Sequence, residues 1–140
     1  MQYGPILMNT NKEIVREFYA QIIGRGDLSA IERLVHPDFV EHNTLPGAAS
    51  GHAGLRQFVI GFHASFSEVN YVIEDLIVEH DKVAVRGVVH AVHRGVFRGV
   101  PATSRQIQWS TIHVLRLQDS LIMERWVQVD MMGLMGQIEK

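Results

Sequence analysis

The chain contains no cysteine, and this absence excludes several kinds of site at once. A protein without thiols forms no disulfide, builds no thiolate metal site and has no cysteine nucleophile. A reducing compartment fits such a composition, so we expect a cytoplasmic protein.

Long apolar runs and basic clusters are missing as well. No stretch reaches the roughly 18 apolar residues that a membrane-spanning helix needs, and the beginning of the chain has no signal-peptide pattern. The formal net charge is −2, without the basic cluster that nucleic-acid binding requires. We therefore expect neither a membrane nor a nucleic-acid partner.

The residues that are present suit a packed core of ordinary size. Of 140 residues, 46% are hydrophobic and 20% are charged, which is typical of one globular domain. Residues 1–8 (MQYGPILM) show no periodicity and contain Gly-Pro, so we expect a flexible N-terminal extension there. Residues 9–140 are then expected to form a single domain.

Helix signals occupy the first half of the chain. Thr10 and Glu13 form a capping-box pattern. One helical face follows it, consisting of Ile14, Val15, Phe18, Tyr19, Ile22 and Ile23. Gly24 and Gly26 should end that helix. A short second helix should begin at Asp27 or Ser29, with Leu28, Ile31, Leu34 and Val35 inward, and end before Pro37. Ser50 is expected to cap a third helix that runs to His63.

Alternating apolar residues predict strands in the second half. They occupy residues 71–79, 83–93, 106–117 and the stretch from Leu121, with turns at His80–Asp81 and Asp119–Ser120. The first turn should place Asp75 opposite Arg86 and Tyr71 opposite His90. Helices followed by antiparallel strands indicate an α+β fold. We expect a cone-shaped α+β barrel, with three N-terminal helices packed on a curved, mainly antiparallel sheet that encloses a pocket.

The second turn predicts how the last two strands pair. A two-residue turn would place Trp109 opposite Asp130, Thr111 opposite Gln128 and His113 opposite Trp126, all on one face. Two indoles, an imidazole and a carboxylate on one face suit a pocket wall. The other face would carry Ile112, Val114, Val127 and Val129. A sheet that is apolar on both faces needs two covers, so we expect a homodimer.

Three stretches resemble a known family. These are GHAGLRQFVIGFHASFSEVNYVIEDLIVEHDKVAVRG, VHRGVFRGVPATS and ERWVQVDMMGLMGQI. They resemble the SnoaL-like polyketide cyclases, also labelled ester cyclases, of the nuclear transport factor 2-like superfamily. The resemblance implies cofactor-free aldol ring closure of a hydrophobic polyketide ester, with Asp130 in a Trp-x-x-x-Asp pattern as general acid/base. His93 matches a His-x-Gly motif, whereas Val92, Ala102 and Ser104 depart from the family's pattern around it.

Asp130 and His113 are the catalytic candidates. Burial between Trp109 and Trp126 would raise the pKa of Asp130 toward neutral pH, as a proton-transferring group needs. The alternative is that Asp130 caps a following helix. His113 could stabilise an enolate oxygen or adjust Asp130, or it could be a hydrogen-bonded core residue. The candidates for substrate binding are Tyr19, His42, Phe58, Phe62, His93, Trp109 and Trp126.

Other functions remain open on the same fold. The eight histidines show no i, i+4 pair and no cluster of metal-ligand spacing, so we expect no metal site. Isomerisation, dehydration or epoxide opening could replace ring closure. Arg86 and Asp130 could supply parts of an epoxide-opening site, although an ion pair with Asp75 explains Arg86 as well. A non-enzymatic module that binds a hydrophobic ligand or a second copy of the chain is the other alternative.

Overall fold

A computed structural model describes residues 11–44 and 46–139. The expected extension at residues 1–8 and the capping residue Thr10 lie outside these ranges. The first helix, α1, covers residues 11–24 and widens to π-helical geometry over Phe18–Gly24. It ends where Gly26 adopts a φ of +71°, which glycine tolerates without a Cβ clash. The predicted glycine stop is confirmed.

The second helix is shorter than predicted. Asp27 caps it by accepting a hydrogen bond from the Ser29 amide, and a 3₁₀ turn at Leu28–Ala30 leads into α2, Ile31–Leu34. Strand β1, Val35–Glu41, begins at once, so the placement of Val35 in the helix was wrong. Pro37 disfavours helical geometry for the residue before it, and an edge strand tolerates its missing N–H.

The third helix, α3, spans Gly51–Ser65. Ser50 occupies its N-cap position but makes no side-chain cap bond, so that part of the prediction was wrong. The imidazole of His52 instead lies 2.9 Å from the Val35 carbonyl oxygen, which ties the start of α3 to β1. Leu55 and Val59 face the core.

A five-stranded sheet carries the rest of the chain. Its further strands are β2 (Phe66–Glu79), β3 (Lys82–His93), β4 (Gln106–Gln118) and β5 (Leu121–Val129), and helix α4 (Met131–Ile138) follows. The strand order is β1-β5-β4-β3-β2, with β1 parallel to β5 and every other pair antiparallel. The α+β class is confirmed. The sheet does not close on itself, and helix residues pack against its inner face.

Bulges change the strand register away from the turns. In β2–β3, Asp75 pairs with Arg86 as predicted, but the irregularity between Ile73 and Asp75 places Tyr71 opposite Val89 instead of His90. In β4–β5, Asp119 and Ser120 have the positive φ values of a two-residue hairpin turn, as predicted. An irregularity beside Leu117 then shifts the remaining pairs by one residue. A bulge of this kind moves every later side chain of one strand to the other face.

The core between helices and sheet has two ends. The α1 end is made of Val15, Phe18, Tyr19, Ile22, Ile23, Ala30, Ile31, Leu34, Val35, Phe39, Leu55, Val59, Val83, Val85, Leu115, Leu117 and Ile122. The α4 end is made of Phe66, Val89, Ala91, Ile107, Trp109, Leu134 and Ile138. Phe62 and Tyr71 pack against both, so they mark the boundary.

Candidate functional site

The inner face of β4 places two of the predicted residues in the interior. Trp109, Thr111 and His113 are buried at alternating positions of this strand. Thr111 lies opposite Val129 and His113 opposite Val127, so these two valines share the inner face. The prediction that Val127 and Val129 lie on the outer face was wrong.

Polar side chains from three elements meet at the α1 end. The Tyr19 hydroxyl, from α1, lies 2.6 Å from Nδ1 of His113. The Tyr71 ring, from β2, stacks on Tyr19 with centroids 4.4 Å apart, and its hydroxyl lies 2.6 Å from Oγ1 of Thr111. Gly87 makes this possible, because a Cβ there would come within 2.6 Å of the Tyr71 ring. The structure therefore brings Tyr19 and His113 together as sequence reasoning could not.

Arg125 and Glu41 complete this group, and sequence reasoning missed both. The Arg125 guanidinium is buried, and its Nε and Nη2 lie 2.8 and 2.6 Å from Oε1 of Glu41. It also lies over the Phe18 and Phe58 rings, 5.1 and 5.9 Å from their centroids. Arg125 pairs with the buried Leu115 of β4, so it lies on the inner face. We call Glu41, Arg125, Tyr19 and His113 the buried polar chain.

Burial determines which members of the buried polar chain are charged. Desolvation, aided by the positive charge of Arg125, lowers the pKa of His113 from 6.5 to about 3, so the imidazole is neutral near pH 7. Desolvation also raises the pKa of Tyr19, which stays a neutral phenol. Burial alone would lower the pKa of Arg125, but Glu41 and Tyr19 outweigh that effect and raise it. The ion pair is thus charged beside a neutral phenol and imidazole.

Two atoms of the buried polar chain have no hydrogen-bond partner in the part of the protein that the structure describes. They are Nε2 of His113 and Oε2 of Glu41. Most buried polar atoms in folded proteins are hydrogen-bonded, and an unmet one costs about 1–3 kcal/mol. Nε2 of His113 is therefore a polar atom of the interior whose partner the described residues do not supply.

An aromatic wall lies beside the polar chain. Phe58 and Phe62 on α3 stack with centroids 5.8 Å apart, and Phe62 meets Trp109 edge-on at 6.2 Å. Trp109 is buried, whereas 48% of Phe58 is exposed, so the wall runs from the interior to the surface. These three predicted residues are brought together, and such a wall suits a hydrophobic ligand.

Asp130 does not lie between two indoles, and that prediction was wrong. The residue is exposed and caps α4, with Oδ1 accepting a hydrogen bond from the Gly133 amide at 2.9 Å. A Cβ at position 133 would come within 2.2 Å of Oδ2 of Asp130, so the cap requires glycine there. The alternative prediction, that Asp130 caps the following helix, is therefore confirmed. Its role in proton transfer stays a prediction.

Trp126 and His42 lie together on the outer face of the sheet. Trp126 pairs with Val114, not with His113, because of the bulge. Its indole stacks on the His42 ring at 4.6 Å, and Nε2 of His42 lies 2.9 Å from Oε1 of Glu124. The prediction that Trp126 lies on the pocket face was wrong, whereas substrate binding by His42 stays a prediction.

His93 is buried at the α4 end, away from the polar chain. Its Nδ1 lies 3.0 Å from the Thr103 hydroxyl and 3.3 Å from the Thr103 amide, so it fastens the connection between β3 and β4. Nε2 of His93 also lacks a partner among the residues described. Its predicted contact with substrate stays a prediction.

Neither a metal cluster nor a membrane span is found over residues 11–44 and 46–139. No three His, Asp or Glu side chains there converge on one point. No helix in those ranges is long and apolar enough to cross a membrane.

Comparisons with known proteins agree with the fold. A family model described as SnoaL-like polyketide cyclase matches residues 13–138. Among solved structures, TsrD from Streptomyces laurentii superposes with a TM-score of 0.85 at 24% identity, covering 93% of this chain and 95% of TsrD. AclR from Streptomyces galilaeus, a proposed hydroxylase, gives 0.81 at 27% identity over 94% and 97%. IdmH from Streptomyces antibioticus, a proposed polyketide cyclase, gives 0.80 at 25% over 93% and 99%. No curated protein matches the chain.

Proposed function

The chain belongs to the SnoaL-like polyketide cyclase family, and from this premise we propose that it is an enzyme that closes a ring in a hydrophobic polyketide ester. Aldol closure removes a proton next to a carbonyl, stabilises the enolate and then protonates a new alkoxide. The fold alone does not specify this reaction, so the proposal depends on particular side chains.

His113 carries the proposal. Its imidazole is neutral and buried, its Nδ1 is occupied by Tyr19, and its Nε2 has no partner among the described residues. A neutral imidazole held in an apolar site can polarise a carbonyl without being protonated, because a preorganised donor stabilises the charge that develops on oxygen. We assign His113 this contact with the substrate oxygen.

The aromatic wall supplies the hydrophobic part of the site. Phe58, Phe62 and Trp109 offer apolar ring surface next to the polar chain, and the exposure of Phe58 puts it at the opening. Flat unsaturated substrates stack well on such rings.

Asp130 is our candidate for proton transfer, because it occupies the family's acid/base position. Its cap bond uses Oδ1. This assignment is independent of the one for His113, and a single substitution tests each.

The test is turnover of a panel of linear polyketide methyl esters, followed by mass spectrometry. We expect ring closure by the wild-type protein and a loss of about 10²–10³-fold in His113→Ala, the usual cost of one donor to a developing oxyanion. His90→Ala is the matched control, since His90 is an exposed histidine on the neighbouring strand. Esters that raise the melting temperature but are never turned over would make the protein a binding module.

Hydroxylation, which would need molecular oxygen and a two-electron reductant added to the assay, is the second candidate, because AclR shares 27% identity with the chain. The same panel separates the two reactions. Ring closure leaves the elemental composition unchanged or releases water, whereas hydroxylation adds one oxygen atom. A product with added oxygen would favour hydroxylation over ring closure.

We also propose a homodimer through the outer sheet face. The predicted patch is corrected to Ile112, Val114 and Trp126, and 56% of Ile112 is exposed. Covering such a patch removes apolar surface from water. Light scattering should return twice the chain mass for the wild type and a smaller mass for Ile112→Glu, whereas a wild-type monomer would refute the proposal.

A further inference from the structure

We propose that Glu41 and Arg125 are positioning residues that hold His113 as a hydrogen-bond donor at Nε2, so that the substrate must present a carbonyl or enolate oxygen there. This inference rests on the proposed function and deepens it. It names two residues outside the family motif and the substrate group that they select.

The first step concerns Arg125. A guanidinium has only donors, and Glu41 holds this one in a fixed orientation through Oε1. Its face lies over the Phe18 ring, which meets the Tyr19 ring edge-on at 5.0 Å. Burial raises the pKa of the Tyr19 hydroxyl, and the positive charge of Arg125 acts in the opposite direction. It therefore favours a Tyr19 oxygen that turns its lone pairs toward Arg125.

The second step concerns the single proton of the Tyr19 hydroxyl. With the lone pairs of its oxygen facing a cation, that proton points away from Arg125. Nδ1 of His113 is 2.6 Å from the oxygen and can accept the proton only if Nδ1 carries no hydrogen. A neutral imidazole has one N–H, so it must then be on Nε2. Tyr19 therefore donates to Nδ1 of His113, and the N–H at Nε2 is left free.

The third step concerns the substrate. A free N–H binds an acceptor and is of no use to a group that can only donate. Carbonyl oxygens of a polyketide are acceptors, and their acceptor strength rises as an enolate forms. The polar chain would thus discriminate against a ligand of the same shape that lacks the oxygen, because the buried donor would stay unmet.

Nitrogen NMR of the full-length protein tests the tautomer directly. In uniformly ¹⁵N-labelled wild type near pH 7, the His113 signals, assigned by their loss in His113→Gln, should show a protonated Nε2 and an unprotonated Nδ1. Arg125→Met should make the two nitrogens more alike, because Nδ1–H can then donate to the Tyr19 oxygen. Tyr19→Phe should have the same effect and provides the test if Arg125→Met does not fold.

Two matched controls separate this effect from general disturbance. Arg116 forms an ion pair with Glu124 on the outer face of the same two strands, so Arg116→Met should leave the His113 signals unchanged. Tyr71→Phe removes a hydroxyl bonded to Thr111 from the same interior and should also leave the tautomer unchanged.

A pair of probes tests the selected substrate group. We expect 2-acetylnaphthalene to bind about tenfold more tightly than 2-ethylnaphthalene, as one satisfied buried donor implies, and to shift Nε2 of His113. Arg125→Met should abolish that preference.

A wild-type His113 protonated at Nδ1, or equal affinity for the two probes, would overturn the inference. Neither readout uses catalysis, so ring closure can fail in the ester panel while the positioning role holds, and the reverse is equally possible.

Discussion

The two ends of the core each bury a histidine whose Nδ1 is bonded and whose Nε2 has no partner in the described chain, yet the partners of the two Nδ1 atoms differ in kind. His93 takes its Nδ1 partners from Thr103, within the connection that it fastens. His113 takes its partner from Tyr19, which stands against a buried ion pair. The comparison teaches that burial of a histidine is not a sign of function by itself. The group behind the imidazole decides what it can do.

The other interior side chains also differ between the two ends of the core. At the α4 end, Phe66, Leu134 and Ile138 pack as ordinary apolar core. At the α1 end, a charged pair lies beside the Phe18 and Phe58 rings, where desolvation is costly. Polar groups retained at such cost are where function is best sought. Substitutions there should also have the largest effects on stability.

The largest expected effect comes from splitting the ion pair. Arg125→Ala should lower the free energy of unfolding by about 3–5 kcal/mol, because it leaves Glu41 buried without a counter-charge. Urea denaturation measures this. Arg116→Ala, on the outer face, should cost less than about 1 kcal/mol. The double variant Glu41→Gln with Arg125→Met should recover most of the stability. Equal losses of stability in Arg125→Ala and Arg116→Ala would contradict the distinction between the two ion pairs.

Asp130→Asn isolates proton transfer from capping. Asparagine caps helices about as well as aspartate, so the melting temperature should barely change. Turnover of the ester panel should fall by about 10²–10⁴-fold if Asp130 transfers protons. Unchanged turnover in this variant would restrict Asp130 to its role as the cap of α4.

The pH dependence of stability should distinguish His113 from an exposed histidine. Its folded pKa, about 3, lies below the unfolded value of 6.5, so the unfolded chain binds the proton first as pH falls. Stability from this group is therefore fully present above about pH 6.5 and lost as pH falls toward 3, by up to about 1.4 kcal/mol per pH unit. Between pH 6 and 4, His113→Gln should lose stability less steeply than the wild type. Parallel slopes would indicate that His113 is not buried in solution.

The smallest expected effect belongs to the opening of the site. Because Phe58 is about half exposed, Phe58→Ala should cost little stability, on the order of 1 kcal/mol. It should raise KM for the larger esters several-fold with little change in kcat, since the ring supplies binding that is equal in ground and transition states. A fall in kcat at constant KM would place Phe58 nearer the reacting atoms than the structure does.

Local sequence patterns were sufficient for the parts of the fold that depend on a few neighbouring residues. The Asp119–Ser120 turn, the Asp27 cap and the Asp75–Arg86 pair all follow from residues close to a turn or a helix end. The α+β class and the family resemblance were readable for the same reason, since periodicity and motifs are properties of adjacent positions. Tyr19, His113, Phe58, Phe62 and Trp109 were recognised individually but not as one arrangement.

The sequence by itself determined which residues alternate along β5, and the tertiary structure decided which of them face inward. A single bulge near Leu117 turned Arg125 inward and Trp126 outward. No local pattern in β4 or β5 marks that bulge. The meeting of Glu41 from β1, Tyr19 from α1 and His113 from β4 is likewise a product of packing, in which desolvation sets the charges that the residue types alone leave open.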